Sequence, residues 1–169
     1  MSRASVCFVL VVFMLVAAAP LGALEQKPVL TLDMAKKMAD ACEAARNAAG
    51  WRPINIAIYD GGGNLTLFRR QDNAFLGSIQ IAQLKGHTSA MFPIPTRMLG
   101  EIAFGKEGQA PRAPGIAYVP GLASFPGGLP IVTPAGQRLG AIGVSGATGD
   151  EDEMCAKAAI DAIAAMLKE

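Results

Sequence analysis

The sequence predicts an α+β fold: a single antiparallel sheet, with the first and last helices packed on one of its faces. Three observations carry this. Helical periods of apolar residues open and close the chain. Between them, two short strand-like segments flank a glycine turn and must form a hairpin. Further short strands then precede the last helix, and no alternating parallel βαβ pattern fits that order.

The elements follow in order. Thr31 is a good N-cap with Asp33 in the first turn, and Leu32, Ala35, Met38, Ala39, Cys42 and Ala45 recur at helical spacing until Gly50. Ile54, Ile56 and Ile58 alternate with Asn55, Ala57 and Tyr59, the period of two that marks a strand. Asp60-Gly61-Gly62-Gly63-Asn64 turns the chain, and Leu65 to Arg69 returns as the hairpin partner. A second helix covers about Ser78 to Met91 until Pro93 and Pro95 break it, and Thr96 caps a short helix to about Phe104. Residues 105–115 form a Gly/Pro-rich loop. Short strands are expected near Ile116–Val119 and Leu129–Thr133, and Pro134 to Gln137 turns into a strand over Leu139–Val144. The last helix is expected from about Asp150 to Lys168, with Cys155, Ala158, Ala159, Ala162 and Met166 inward. Thr148 and Glu151 complete a capping box at its start. The glycine- and alanine-rich strand before it leaves room for a helix, a subunit or a flat ligand to pack closely.

A leader precedes this domain. Arg3 gives a positive start, Val6 to Ala19 is apolar, and Pro20-Leu21-Gly22-Ala23 offers small residues for cleavage. The apolar run is short of the about 20 residues that span a bilayer. Residues 1–23 therefore read as a cleaved secretory signal, with an uncleaved anchor as the competing reading, and residues 24–169 as a single domain. A periplasmic or secreted protein is expected. Cys7 lies inside the apolar run, which argues against a lipoprotein. No internal repeat or second domain is visible.

Fifteen Lys and Arg stand against 14 Asp and Glu, and loss of Arg3 with the leader equalises them. No basic stripe is present, so nucleic acid is not expected as a partner. A neutral surface on a chain with 51% hydrophobic residues suits a homo-oligomer. Two cysteines remain, Cys42 and Cys155, both on apolar helix faces. They bridge if the terminal helices lie side by side in an oxidising compartment, or else stand as buried small hydrophobes.

His87 is the single histidine, so Ser/His/Asp catalysis and multi-histidine metal sites are nearly excluded. Its imidazole is either an axial haem ligand or a hydrogen-bonded surface group. Arg69 and Arg70 either meet a propionate bidentately or pair with Asp72. Asp150, Glu151, Asp152 and Glu153 read as a solvated helix start, with a cation site as the lesser reading. Met91 and Met98, beside the Pro-rich corner, are soft contacts for a porphyrin or else core filler. Ser145 lacks the last glycine of the G-x-S-x-G elbow, which Ala147 replaces, so it is no nucleophile. Gly143, Gly146 and Gly149 lack a P-loop lysine and read as a tight strand-to-helix turn.

Five motifs, in this order and spacing, resemble one family. They are Tyr59-Asp60-Gly61-Gly62-Gly63-Asn64-Leu65, Phe68-Arg69-Arg70-Gln71-Asp72, Ala82-Gln83-Leu84-Lys85-Gly86-His87-Thr88-Ser89-Ala90, Gly127-Gly128-Leu129-Pro130-Ile131 and Gly140-Ala141-Ile142-Gly143-Val144-Ser145-Gly146. The chain resembles, from about Leu30 to Leu167, the GlcG/HbpS-like family. That family is also called the haem-degrading domain and includes the C-terminal domain of PduO-type proteins. The resemblance implies a profilin- or PAS-like two-layer fold, homo-oligomers and, in several members, haem binding. For exported members it implies haem or iron sensing or storage, and for the PduO-type branch a link to corrinoid enzymes. It supplies no catalytic residue and does not assign His87 as a ligand, and Gly86 stands where alanine is more usual. An exported haem-binding protein follows, with Arg69, Arg70 or Lys85 toward propionates and His87 toward iron. The rivals are a non-catalytic subunit of a periplasmic oxidoreductase or sensor system and, with the least support, an enzyme acting on haem or a 2-hydroxy acid.

Overall fold

The computed structural model describes residues 27–168; the predicted leader lies outside them. Helix α1 spans Leu32–Ala49, with the Thr31 hydroxyl accepting from the Met34 N–H and Gly50 closing it at φ 68°. Strands β1 (Asn55–Asp60) and β2 (Leu65–Arg70) form the hairpin. Their turn is held by Asp60, whose Oδ1 accepts from the Gly62 and Asn64 N–H groups at 2.8 and 2.9 Å. Helices α2 (Leu76–Met91) and α3 (Thr96–Phe104) follow, then a 3₁₀ helix over Pro114–Tyr118. Strands β3 (Gly128–Val132) and β4 (Arg138–Ser145) lead into α4 (Gly149–Ala162).

All strand pairs are antiparallel, in the order β2-β1-β4-β3. The period of two in β1 sorts its side chains between two faces. Ile54, Ile56 and Ile58 join Ile142 and Val144 against Met38, Ala39, Ala156 and Ala159 of the terminal helices. Ala57 and Tyr59 meet Ala82 of α2 on the other face. The α+β class and the shared face of α1 and α4 are as expected, and α2 gives the sheet helical cover on its second side as well. A disulfide joins Cys42 of α1 to Cys155 of α4, both fully buried, across 113 residues.

Three local expectations are corrected. Ile116–Val119 is not a strand: Pro114 opens a 3₁₀ helix over Pro114–Tyr118, and the segment is not one of the four strands of the sheet. Thr96 does not cap α3. Pro95 takes the cap position, and the Thr96 hydroxyl instead accepts from the Gly128 N–H at 2.9 Å, tying α3 to β3. Helix α4 stops at Ala162 rather than Lys168, with no basic residue in its last turn. The chain continues in turns that bury Ile163 and Leu167 and leave Met166 exposed.

Candidate functional site

One groove brings titratable groups together, between the first half of α2, the end of β4 and the start of α4. Its volume is about 350 Å³, and its lining includes Phe75, Ser78, Ile81, Lys85, Phe125, Ser145 and Asp152. Two glycines shape it. Gly146, at φ 147°, bends the chain out of β4, and a Cβ there would sit 2.3 Å from the Pro53 carbonyl oxygen. Gly127, at φ 120°, leaves space for an ammonium: a Cβ would approach the Lys85 Nζ to 2.6 Å.

Lys85 is 1% exposed and Asp152 2% exposed. The Lys85 Nζ donates to Asp152 Oδ2 at 2.8 Å and to the Val144 carbonyl at 3.0 Å, and lies 5.0 Å from the centre of the Phe125 ring. The other oxygen of Asp152 accepts from the Ala147 N–H at 3.1 Å. Burial pushes the ammonium below its ordinary value and the carboxyl above its own, and their mutual attraction opposes both shifts. A pair with these hydrogen bonds tolerates burial, whereas either member alone would not.

Asp152 was expected in a solvated helix start, and the structure buries it. A signal was present: Asp152 precedes Cys155, Ala156, Ala159 and Ile163 at helical spacing, on the apolar stripe. Its neighbours are also engaged. Arg97 meets Asp150 and, at 3.0 Å, Glu153, while Glu151 closes the capping box with Thr148. Among the described residues no group of three or more acids, histidines or cysteines can hold a metal ion.

The four residues predicted to contact a cofactor do not converge on one pocket. Arg69, opposite Ile56 in the hairpin, faces α1 and pairs with Asp40 and Glu43 at 2.6 and 2.9 Å. Arg70, opposite Asn55, is exposed at the end of β2. Lys85, on the buried side of α2, is paired with Asp152. His87 is exposed, with its ring edge-on to Tyr59 at 5.8 Å. A wider depression of about 780 Å³ lies between Pro28 and Val29, the Thr133–Gln137 turn and Met166 to Lys168. Among the described residues its lining holds no carboxylate or histidine, so the smaller groove is the better candidate for chemistry.

Comparison with known proteins identifies the family. The chain is 32% identical over 137 residues to an uncharacterized 15.0 kDa protein from the dhaT–dhaS intergenic region of Citrobacter freundii, covering 81% of this chain and 94% of that one. The crystal structure of a double mutant of HbpS from Streptomyces reticuli is similar at 35% identity and TM-score 0.71, over 90% of this chain and 99% of that one. A crystal structure of a PduOC–haem complex shares the fold, with TM-score 0.70 and 24% identity over 80% and 96% of the two chains. The family described as "Haem degrading protein HbpS-like" matches residues 30–161, and the chain belongs to that family.

Proposed function

We propose that this protein binds haem on the outer face of α2, by the β1–β2 hairpin, after export from the cytoplasm. The family and the haem-bound PduOC neighbour support the cofactor class. The observation that carries the location is the setting of His87. Its imidazole is exposed against Tyr59, Met91 follows one turn along at 53% exposure, and Leu65, paired with Tyr59, is 47% exposed. An imidazole set among apolar side chains would suit a residue that holds a haem iron, with the apolar groups against the macrocycle. Arg69 is held by Asp40 and Glu43 on the α1 side, and Arg70 pairs with Asn55 at the end of β1 away from Tyr59, so neither arginine is assigned to a propionate. Bound haem would supply a redox-active iron, while the chain's own residues hold and orient it.

Export is supported by the leader-like sequence and by the Cys42–Cys155 disulfide, which suits an oxidising compartment. Self-association is supported by Phe104 and Tyr118, exposed at 65% and 84%. A role in haem or iron sensing or storage is the reading these features favour.

The test is titration of the purified apoprotein with haemin. A saturable Soret shift is expected, and its absence overturns haem binding. His87→Ala is expected to change the band; an unchanged spectrum removes the histidine from the site. Sizing chromatography reads the oligomer, and N-terminal sequencing of exported material should begin near Leu24.

A further inference from the structure

The groove over Lys85 and Asp152 has no part in the haem reading. Asn55, hydrogen-bonded to Ser78 of its lining, opens β1, while Tyr59 and the His87 face lie toward the strand's other end. An adjoining depression of about 320 Å³, lined by Arg52, Pro53, Asn73, Phe75 and Gly146, shares Phe75 and Gly146 with it. Both volumes are at the low end for ligand sites, a size for a single-ring molecule rather than a tetrapyrrole.

Two features of this double groove point to a ligand. The first is its apolar wall: Phe75 and Phe125 are 56% and 45% exposed, although each ring borders the groove. The second is its charge. Lys85 and Asp152 neutralise each other, so the remaining charge is Arg52, whose guanidinium stacks 5.3 Å from the centre of the Phe75 ring. Arg52 has no carboxylate partner among the described residues, unlike Arg69 and Arg97. Behind the lining, Ser78 is held in a buried polar network. Asn55 Nδ2 donates to the Ser78 hydroxyl at 2.7 Å, and that hydroxyl donates to the Phe75 carbonyl at 2.7 Å. Asn55 Oδ1, fully buried, is left without a donor.

We propose that this double groove binds a small aromatic carboxylate, with its ring between Phe75 and Phe125 and its carboxylate on Arg52. The guanidinium fork matches a carboxylate bidentately, and its stacking on Phe75 presents it in advance of binding.

Benzoate is the probe, with benzamide as its neutral counterpart, titrated into the full-length protein by calorimetry. The fluorescence of Trp51, the one tryptophan and the neighbour of Arg52, gives a second readout. Saturable benzoate binding is expected, at least tenfold tighter than benzamide, with the preference lost in Arg52→Ala and binding weakened in Phe125→Ala. His87→Ala should leave benzoate binding intact, so failure of the haem reading and failure of this one are distinguishable. No saturable benzoate binding by either readout, equal binding of the two probes, or an unaltered preference in Arg52→Ala overturns the proposal.

Discussion

Gly86 of α2 and Gly143 of β4 meet backbone to backbone. A Cβ on Gly143 would stand 2.1 Å from the Ala82 carbonyl oxygen and 2.2 Å from the Gly86 nitrogen, and one on Gly86 would meet the Tyr59 ring at 2.9 Å. The missing side chains let α2 lie directly on the sheet. That short separation is what carries the Lys85 ammonium to the Val144 carbonyl and to Asp152.

Gly143→Ala should therefore lower the free energy of unfolding by about 3 kcal/mol or more, since the obstruction is backbone and has no rotamer to yield. Gly77→Ala, in the same helix with nothing within 4 Å of an added Cβ, should be neutral or stabilising by about 0.5 kcal/mol. Urea unfolding of the two variants checks the contrast, and equal effects would contradict the close contact.

Reduction of the Cys42–Cys155 bridge should lower stability by about 4 kcal/mol, because it closes a loop of more than 100 residues in the unfolded chain. Cys42→Ala together with Cys155→Ala should reproduce the loss. The measurement is the urea midpoint with and without reductant, which the double variant should make insensitive to reductant.

Asp152→Asn should cost about 3–5 kcal/mol, since it strands a buried ammonium, while Lys85→Met with Asp152→Leu should come close to wild-type stability. The pH dependence of Asp152→Asn carries a sign. Burial lowers the folded-state value of Lys85 below its ordinary 10.5, and the attractions of Asp152 that oppose the shift are gone. Between that lowered value and 10.5 the unfolded chain holds a proton that the folded chain lacks, so stability should rise with pH across that window. A flat or falling profile would place Lys85 in water.

Thr148→Ala removes the hydroxyl that accepts from the Glu151 N–H and should cost about 1 kcal/mol. Helix α4 carries Asp152 and Cys155, so its fraying should show first as faster amide exchange in its opening turn.

The element pattern was legible because it depends on neighbours in the chain. Thr31 and Gly50 bound α1, Thr148 and Glu151 start α4, and the alternation of Ile54, Ile56 and Ile58 marks β1, each by local hydrogen bonding or period. Local rules failed where a distant partner competed: Thr96 has the chemistry of a cap, but the Gly128 N–H claims its hydroxyl. Cys42 and Cys155 showed apolar helical faces but not their pairing, which needs α1 beside α4.

The amino-acid order alone settled the class of fold, the family motifs and the low, glycine-rich bulk of β4, all of which follow from short-range sterics and hydrophobic period. Three-dimensional packing assigned the partners. It put Arg69 on the α1 side with Asp40 and Glu43, left His87 open beside Tyr59, and sealed Lys85 against Asp152, 67 residues away. Charged side chains look alike along a chain. Whether one faces water, a carboxylate or a groove depends on which surfaces meet, because the cost of burying a charge is set by the partner waiting there.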